Sequence, residues 1–434
     1  MEWSRYNLMF ESKRNGWLLY NSGSNTFVQM DDKTAEIAKQ IQKSPNMDFS
    51  DKPDLFFKLR LGGFLIDDGQ DDDLVNILKM KALTINYSSD KLYLTVAPTK
   101  ECNFDCAYCY EKNRVPSKMS DEIEDNLITF IKNHKLVNKV FITWYGGEPL
   151  LEFNKIKNIS KKIDALGIKY SADMVTNGYE LSGDVIENLN QLKISHVQIT
   201  IDGIKKTHDS RRHLINKEGT YDKILENINK LMNSDWHGCL SLRVNVDTNN
   251  SSEFVEVYQY FKDIYSDKFD RSIRVYPGFV DDKQSPDIGC HFDPYKKGKF
   301  IFELARDYGI HALEIFPIKK IGGCYLSKKN AYVVGPHGEI YKCWDDLGID
   351  KEIVGNINNT KIWNIALIAN SMVGVSNLES KTCLACFFFP ICNGGCPKAR
   401  MYSNRDMVKR ETCTYIKSHI KDLLEIHYEQ KHMK

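Results

Sequence analysis

The chain has 434 residues, room for two to four domains or one large barrel with additions. Hydrophobic residues make up 42% and charged residues 27%, which suits a soluble globular protein whose core needs no disulfide staples. Lys and Arg number 59 against 58 Asp and Glu, and a net charge of +1 excludes a global field aimed at nucleic acid or an anionic membrane.

The opening residues, Met1 to Asn7, lack the apolar stretch of a signal peptide, and no apolar run approaches the roughly 18 residues of a membrane span. The expected location is therefore cytoplasmic. Residues 6–11 and 17–30 combine alternation with turn residues and predict paired strands. A helix is expected over 31–42, with Asp31 as its cap, and another over 54–61, stopped by Gly62 and Gly63. Residues 64–66 read as a strand. The order hairpin, helices, strand suits a winged-helix-like α+β module over residues 1–85. Residues 67–73, with five Asp, read as a solvated linker.

Six strands are expected next, over 92–97, 139–144, 169–176, 196–201, 240–247 and 273–280. Helical stretches fall between them, over 120–134, 153–166, 182–192, 221–232 and 252–264. Ser120 and the acids after it mark one helix start, and Gly167 marks a helix end. Alternating strand and helix makes residues 92–305 an α/β domain of parallel βα units, either a barrel or a wound sheet. Ligands meet such folds at the C-terminal ends of the strands. Residues 306–320 read as a bridging segment. Residues 321–434 hold seven of the 12 cysteines in short, turn-rich pieces, with one helical stretch at 412–429, and read as a separate domain organised around ligands. There is no internal repeat.

Cysteine spacing carries the chemistry. Cys102, Cys106 and Cys109, spaced C-x3-C-x2-C, follow directly on the first strand of the α/β domain. In a reducing compartment such clusters read as metal or cluster ligands. Three local thiolates with no nearby fourth would leave one position of a 4Fe–4S cluster open; a zinc site would have to borrow a distant ligand. Two glycines in Trp144-Tyr145-Gly146-Gly147-Glu148-Pro149, at the end of the second strand, allow close approach of the backbone to a ligand, and Glu148 can accept from an ammonium group. Thr176-Asn177-Gly178 ends the third strand. Asp202-Gly203, with His208, Asp209, Arg211 and Arg212 beyond, ends the fourth.

These motifs, in this order, resemble the radical SAM superfamily. The resemblance implies a partial (β/α)6 TIM-like barrel and a 4Fe–4S cluster on Cys102, Cys106 and Cys109. It also implies S-adenosylmethionine (SAM), cleaved to a 5′-deoxyadenosyl radical that abstracts a substrate hydrogen. Tyr108 corresponds to an aromatic position near the adenine. Gly146, Gly147, Glu148 and Pro149 correspond to the element that contacts the SAM amino group, and Asn177 belongs to a third element. Arg212, with Arg211 as the fallback, corresponds to the contact with the SAM carboxylate. Where relatives often have a serine three residues before Thr176, this chain has Asp173.

The second set reads C-x13-G-x4-C from Cys324 to Cys343, then C-x2-C-x5-C-x3-C over Cys383, Cys386, Cys392 and Cys396, then Cys413. It resembles the seven-cysteine SPASM pattern; a zinc ribbon would explain only four of these. The resemblance implies two auxiliary 4Fe–4S clusters. One would take Cys383, Cys386, Cys392 and Cys413. The other would take Cys324, Cys343 and Cys396, with a further ligand that is Cys290, a non-cysteine group or the substrate itself. Cys239 reads as a buried apolar cysteine.

SPASM enzymes mostly modify peptides or proteins. The N-terminal module resembles the leader-recognition module of peptide maturases. In sulfatase maturases an Asp base directly follows the second auxiliary cysteine, whereas here that position is Trp344 and Asp345 comes one later. The reading is thus a maturase that installs a thioether or carbon–carbon cross-link in a ribosomal precursor peptide, with Asp345 as a weak catalytic candidate. An electron donor such as flavodoxin or ferredoxin is implied, and no nucleic acid or membrane partner. Formylglycine formation on a protein Cys or Ser is the runner-up. A non-catalytic Fe–S electron carrier is disfavoured by the SAM-contact elements.

Overall fold

The computed structural model describes residues 1–111, 114–280, 291–311, 321–359, 363–392, 394–406 and 412–432. They divide into two units. One comprises Met1–Tyr87, Pro294–Lys328 and Met372–Lys434, the other Ser88–Asp293 and Lys329–Ser371.

The first unit opens with β1 (Glu2–Trp3), followed by β2 (Asn7–Ser12), β3 (Gly16–Asn21) and β4 (Thr26–Met30); β2, β3 and β4 form an antiparallel sheet in that order. Gly16 and Asn25 take left-handed backbone angles, φ +66° and +63°, at the two turns. β5 (Leu65–Ile66) pairs antiparallel with β1. The helix Asp32–Lys43 is capped by the Asp31 carboxylate, which accepts from Thr34 N at 2.7 Å. Its Ala35, Ala38 and Ile41 pack with Leu19, Phe64 and Leu65 in one buried cluster.

The acidic run at 67–73 is no free linker, because from Gln70 it opens the helix Gln70–Asn86. Asp71 is buried, and its carboxylate accepts from Ser4 Oγ at 3.0 Å and Arg5 N at 2.8 Å. Acids at the first turn also suit the helix dipole. The helix expected from 412 starts later, as Ile420–His432, after a short 3₁₀ turn at Tyr415–His419. Its Ile420 and Leu424 pack with Phe10, Leu18, Tyr20, Phe388 and Ile391.

The second unit contains the wound βα order. β6 (Lys91–Val96), β7 (Lys139–Trp144), β8 (Lys169–Thr176), β9 (Ile194–Ile201), β10 (Cys239–Val246) and β11 (Ile273–Phe279) lie side by side and parallel, in chain order. Apolar residues at every second position, such as Leu92, Leu94 and Val96, are buried. Helices Asp121–Asn133, Phe153–Asp164, Gly183–Asn188, Tyr221–Met232 and Phe254–Ile264 connect the strands. On the far side of β6 the sheet continues into β12 (Ala331–Val334), parallel to β6, then antiparallel β13 (Glu339–Tyr341) and β14 (Gly355–Asn356). Among the described residues no helix is long and apolar enough to cross a membrane.

Candidate cluster and cofactor site

The motifs singled out in the α/β domain lie at the C-terminal ends of β6 to β9. The loop carrying Cys102, Cys106 and Cys109 is pinned to the segment that follows β9. Asp105 N donates to His213 O at 3.0 Å, Ala107 N donates to Arg211 O at 3.3 Å, and Phe104 bridges to Leu214. Burial pushes the Cys102 thiol up to about 12, with the Glu148 carboxylate and the other two thiols adding to the rise. Burial also raises Cys106 and Cys109, while the Arg212 guanidinium draws both down. The three sulfurs thus share one electrostatic neighbourhood, in which thiolates need added positive charge.

Gly146 and Gly147 let the second loop close on the first. A Cβ at Gly146, whose φ is +120°, would lie 2.3 Å from Thr99 O, and one at Gly147 would lie 2.2 Å from Glu101 O. The close approach that the glycines permit is therefore between the two loops. Glu148 N donates to Glu101 O at 2.8 Å. The Glu148 carboxylate is wholly buried and accepts from Leu150 N (3.0 Å), Thr176 Oγ1 (2.7 Å) and Asn177 N (2.7 Å). Burial raises it to about 7 against the pull of these bonds. Pro149 begins the short turn Pro149–Glu152 and is buried. Asn177 Nδ2 donates to Asn103 Oδ1 at 2.7 Å and lies 4.0 Å from the Cys102 sulfur.

Across from these groups, the Tyr108 hydroxyl donates to Asp202 Oδ1 at 2.8 Å. It accepts from Arg212 Nη1 at 2.8 Å and from Asn245 Nδ2 at 2.9 Å. Arg211 is held by two acids, Nε on Asp202 at 2.9 Å and Nη1 on Asp247 at 2.7 Å. Arg212 is only 9% exposed, and its Nε is buried with no hydrogen-bond partner among the described residues. His208 is buried and neutral, held near pH 3 by burial and by the Arg212 charge. Its Nδ1 accepts from Asp202 N at 3.3 Å and its Nε2 meets Thr220 Oγ1 at 3.0 Å, tying the loop that carries both arginines. Asn245, Asp247 and Asn250 were not singled out from sequence. The available signal was a run of polar residues just where an apolar strand ends.

Three thiols on one loop and a buried guanidinium with an unused donor fit a thiolate-bound cluster beside a bound anion. Among the described residues no three candidate ligands are drawn together around a single metal ion. Residues 96–261 match the radical SAM superfamily. The chain carries a radical SAM domain. That family implies a 4Fe–4S cluster and SAM.

The domain has relatives of wider extent. The chain is 24% identical over 329 residues to a cysteine-type anaerobic sulfatase-maturating enzyme of Clostridium novyi, covering 69% of this chain and 85% of that one. Among solved structures, native anSMEcpe with bound AdoMet and a Cp18Cys peptide matches 78% of this chain and 97% of its own, at TM-score 0.60 and 21% identity. Streptococcus suis SuiB bound to its precursor peptide SuiA matches 95% of this chain and 98% of its own, at TM-score 0.52 and 16% identity.

The second cysteine set is split between the units. Cys324, Cys383, Cys386, Cys392, Cys396 and Cys413 belong to the first unit; Cys343, two residues after β13, belongs to the second. In the first unit a small pocket is lined by Cys324, Cys392, Asn377, Gly394 and Arg400 among others. Gly395, at φ +71°, would place a Cβ 1.7 Å from Thr412 O, so this glycine brings the Cys396 loop against the residue before Cys413. Cys324, Cys396 and Cys413 are exposed. Cys239 is the half-buried first residue of β10, and Cys290 lies outside the described residues. In the second unit the Trp344 ring stacks on Tyr145 at 5.9 Å. Asp345 presents its carbonyl to Arg114 Nη2 at 2.8 Å; burial raises both the Tyr145 hydroxyl and the Glu111 carboxyl, and the Asp345 carboxylate adds to each rise.

Proposed function

We propose that the protein is a radical SAM maturase that binds a ribosomally made precursor peptide and installs a thioether or carbon–carbon cross-link in its core. The observation that carries this reading is extent. The likeness to SuiB, whose structure includes its precursor peptide, runs over 95% of this chain, whereas the likeness to anSMEcpe covers 78%. The N-terminal module is therefore within reach of the peptide-maturase comparison.

In this reading Cys102, Cys106 and Cys109 hold the SAM-binding cluster. Arg212 offers its free Nε to the SAM carboxylate, Glu148 and the backbone around Pro149 receive the amino group, and Tyr108 and Asn177 line the pocket. With both bound, cluster and SAM supply the 5′-deoxyadenosyl radical that takes a hydrogen from the peptide. Cys324, Cys343, Cys383, Cys386, Cys392, Cys396 and Cys413 carry two auxiliary clusters, and flavodoxin or ferredoxin supplies electrons. The module over residues 1–85 recognises the leader; β2 and β4, the outer strands of its three-stranded sheet, offer edges for strand addition.

Sulfatase-type maturation is the second reading, favoured by the 24% identity to the Clostridium novyi enzyme. Against it stands Trp344, stacked on Tyr145, at the position where such enzymes have their Asp base. The test is mass spectrometry of reconstituted protein incubated anaerobically with reductant, SAM and precursor peptides encoded beside it. A two-hydrogen loss within one peptide supports the cross-link; conversion of a Cys or Ser to formylglycine supports the second reading.

A further inference from the structure

Arg400 lies on the helix Pro397–Asp406, four residues after Cys396. Its Nη1 and Nη2 both sit 3.9 Å from the Cys383 sulfur, within reach of an N–H···S hydrogen bond. Nη2 also donates to Gly394 O. At φ +79°, a Cβ on Gly394 would lie 3.0 Å from Arg400 Nη2 and 2.4 Å from the Asn377 Cβ, so this glycine leaves room for the guanidinium. Among the described residues the donors of Arg400 go to that sulfur and that carbonyl, and no carboxylate pairs with it. The side chain lines the same pocket as Cys324 and Cys392.

A cationic fork is a poor match for a neutral thiol and a good one for a thiolate, where the bond is charge-assisted. We propose that Arg400 is a positioning residue for the auxiliary cluster bound through Cys383, donating to the Cys383 thiolate and raising the reduction potential of that cluster. The inference rests on the auxiliary-cluster reading above. Reduction adds one electron to the cluster and makes cluster plus ligands one unit more negative. A nearby cation with N–H donors on a ligand sulfur stabilises that reduced form and moves the potential up.

The test is an EPR-monitored redox titration of the fully reconstituted chain, with iron counted in every sample. Wild type is compared with Arg400→Gln, which removes the charge, and Arg400→Lys, which keeps the charge and loses the fork. The expected result is a shift of one auxiliary signal to more negative potential in Arg400→Gln, a smaller shift in Arg400→Lys, and an unmoved signal for the cluster that responds to SAM. Unchanged potentials with a full iron complement overturn the proposal. Should Arg400→Gln lose the cluster, Arg400→Lys decides by its potential, and loss of the cluster from both makes the role structural and overturns the tuning. A wild type that binds only about four irons refutes the auxiliary clusters themselves, a failure distinct from that of Arg400.

Discussion

Arg212 Nη1 donates to the Tyr108 hydroxyl at 2.8 Å while Arg212 Nε, also buried, has no hydrogen-bond partner among the described residues. Its neighbour Arg211 is committed to Asp202 and Asp247. The two adjacent arginines thus have separate tasks. Arg211 braces the strand ends, and Arg212 Nε is the donor assigned to the SAM carboxylate in the proposed reading.

Replacing Arg212 by Lys is expected to weaken SAM binding by about 10- to 100-fold, the equivalent of one lost charged hydrogen bond. The iron content should be unchanged, and equilibrium dialysis with labelled SAM measures the effect. Replacing Arg211 by Ala removes the guanidinium that bridges the buried Asp202 and Asp247. The expected effect is a loss of stability on the order of 3 kcal/mol, read by denaturant unfolding.

The glycine pair gives a steric prediction. Ala at Gly147 would drive a methyl group into Glu101 O at 2.2 Å, separating the loop that carries Glu148 from the loop that carries the cysteines. SAM cleavage should fall by more than tenfold with a stability loss of about 2 kcal/mol. Gly183→Ala, where nothing lies within 4 Å, is the control and should leave both unchanged.

His208 sets an acid limit. Folded, it is held near 3, against an ordinary value of 6.5. Between these values the unfolded chain binds a proton that the folded chain refuses, so stability is full above about pH 6.5 and falls as the pH drops towards 3. From pH 6.5 to pH 5 that loss is about 2 kcal/mol. Thermal unfolding of wild type and His208→Gln at pH 7 and pH 5 checks the sign: the acid-induced drop should be smaller in the variant.

The N-terminal module also supports the cysteine segment of its own unit. Phe10, Leu18 and Tyr20 pack with Phe388 and Ile391, Tyr6 packs with Leu378 and Phe389, and Ser22 Oγ donates to Phe387 O at 2.5 Å. Deleting residues 1–85 is therefore expected to cost auxiliary iron while the cluster on Cys102, Cys106 and Cys109 and its uncoupled SAM cleavage survive. Iron analysis and 5′-deoxyadenosine formation read the two effects separately.

Much of this was legible in the sequence. The six parallel strands announce themselves as short apolar, β-branched runs, and Tyr221–Met232 as an amphipathic helix of the same bounds. The cysteine loop and Glu148 were visible because their spacing is local. What escaped depends on long-range contacts. Asn245 matters because its amide reaches Tyr108, 137 residues away, and Asp71 because it reaches Ser4, 67 residues away. The strands β12 to β14 span two to four residues each, too short for a period of two to show.

The most direct measurement is iron and labile sulfide per chain after anaerobic reconstitution, with zinc counted alongside. About twelve irons, three clusters of four, is the predicted result. About four irons with zinc in place of the rest would leave the radical SAM domain in place and contradict the auxiliary clusters, and with them the proposed maturase of peptides.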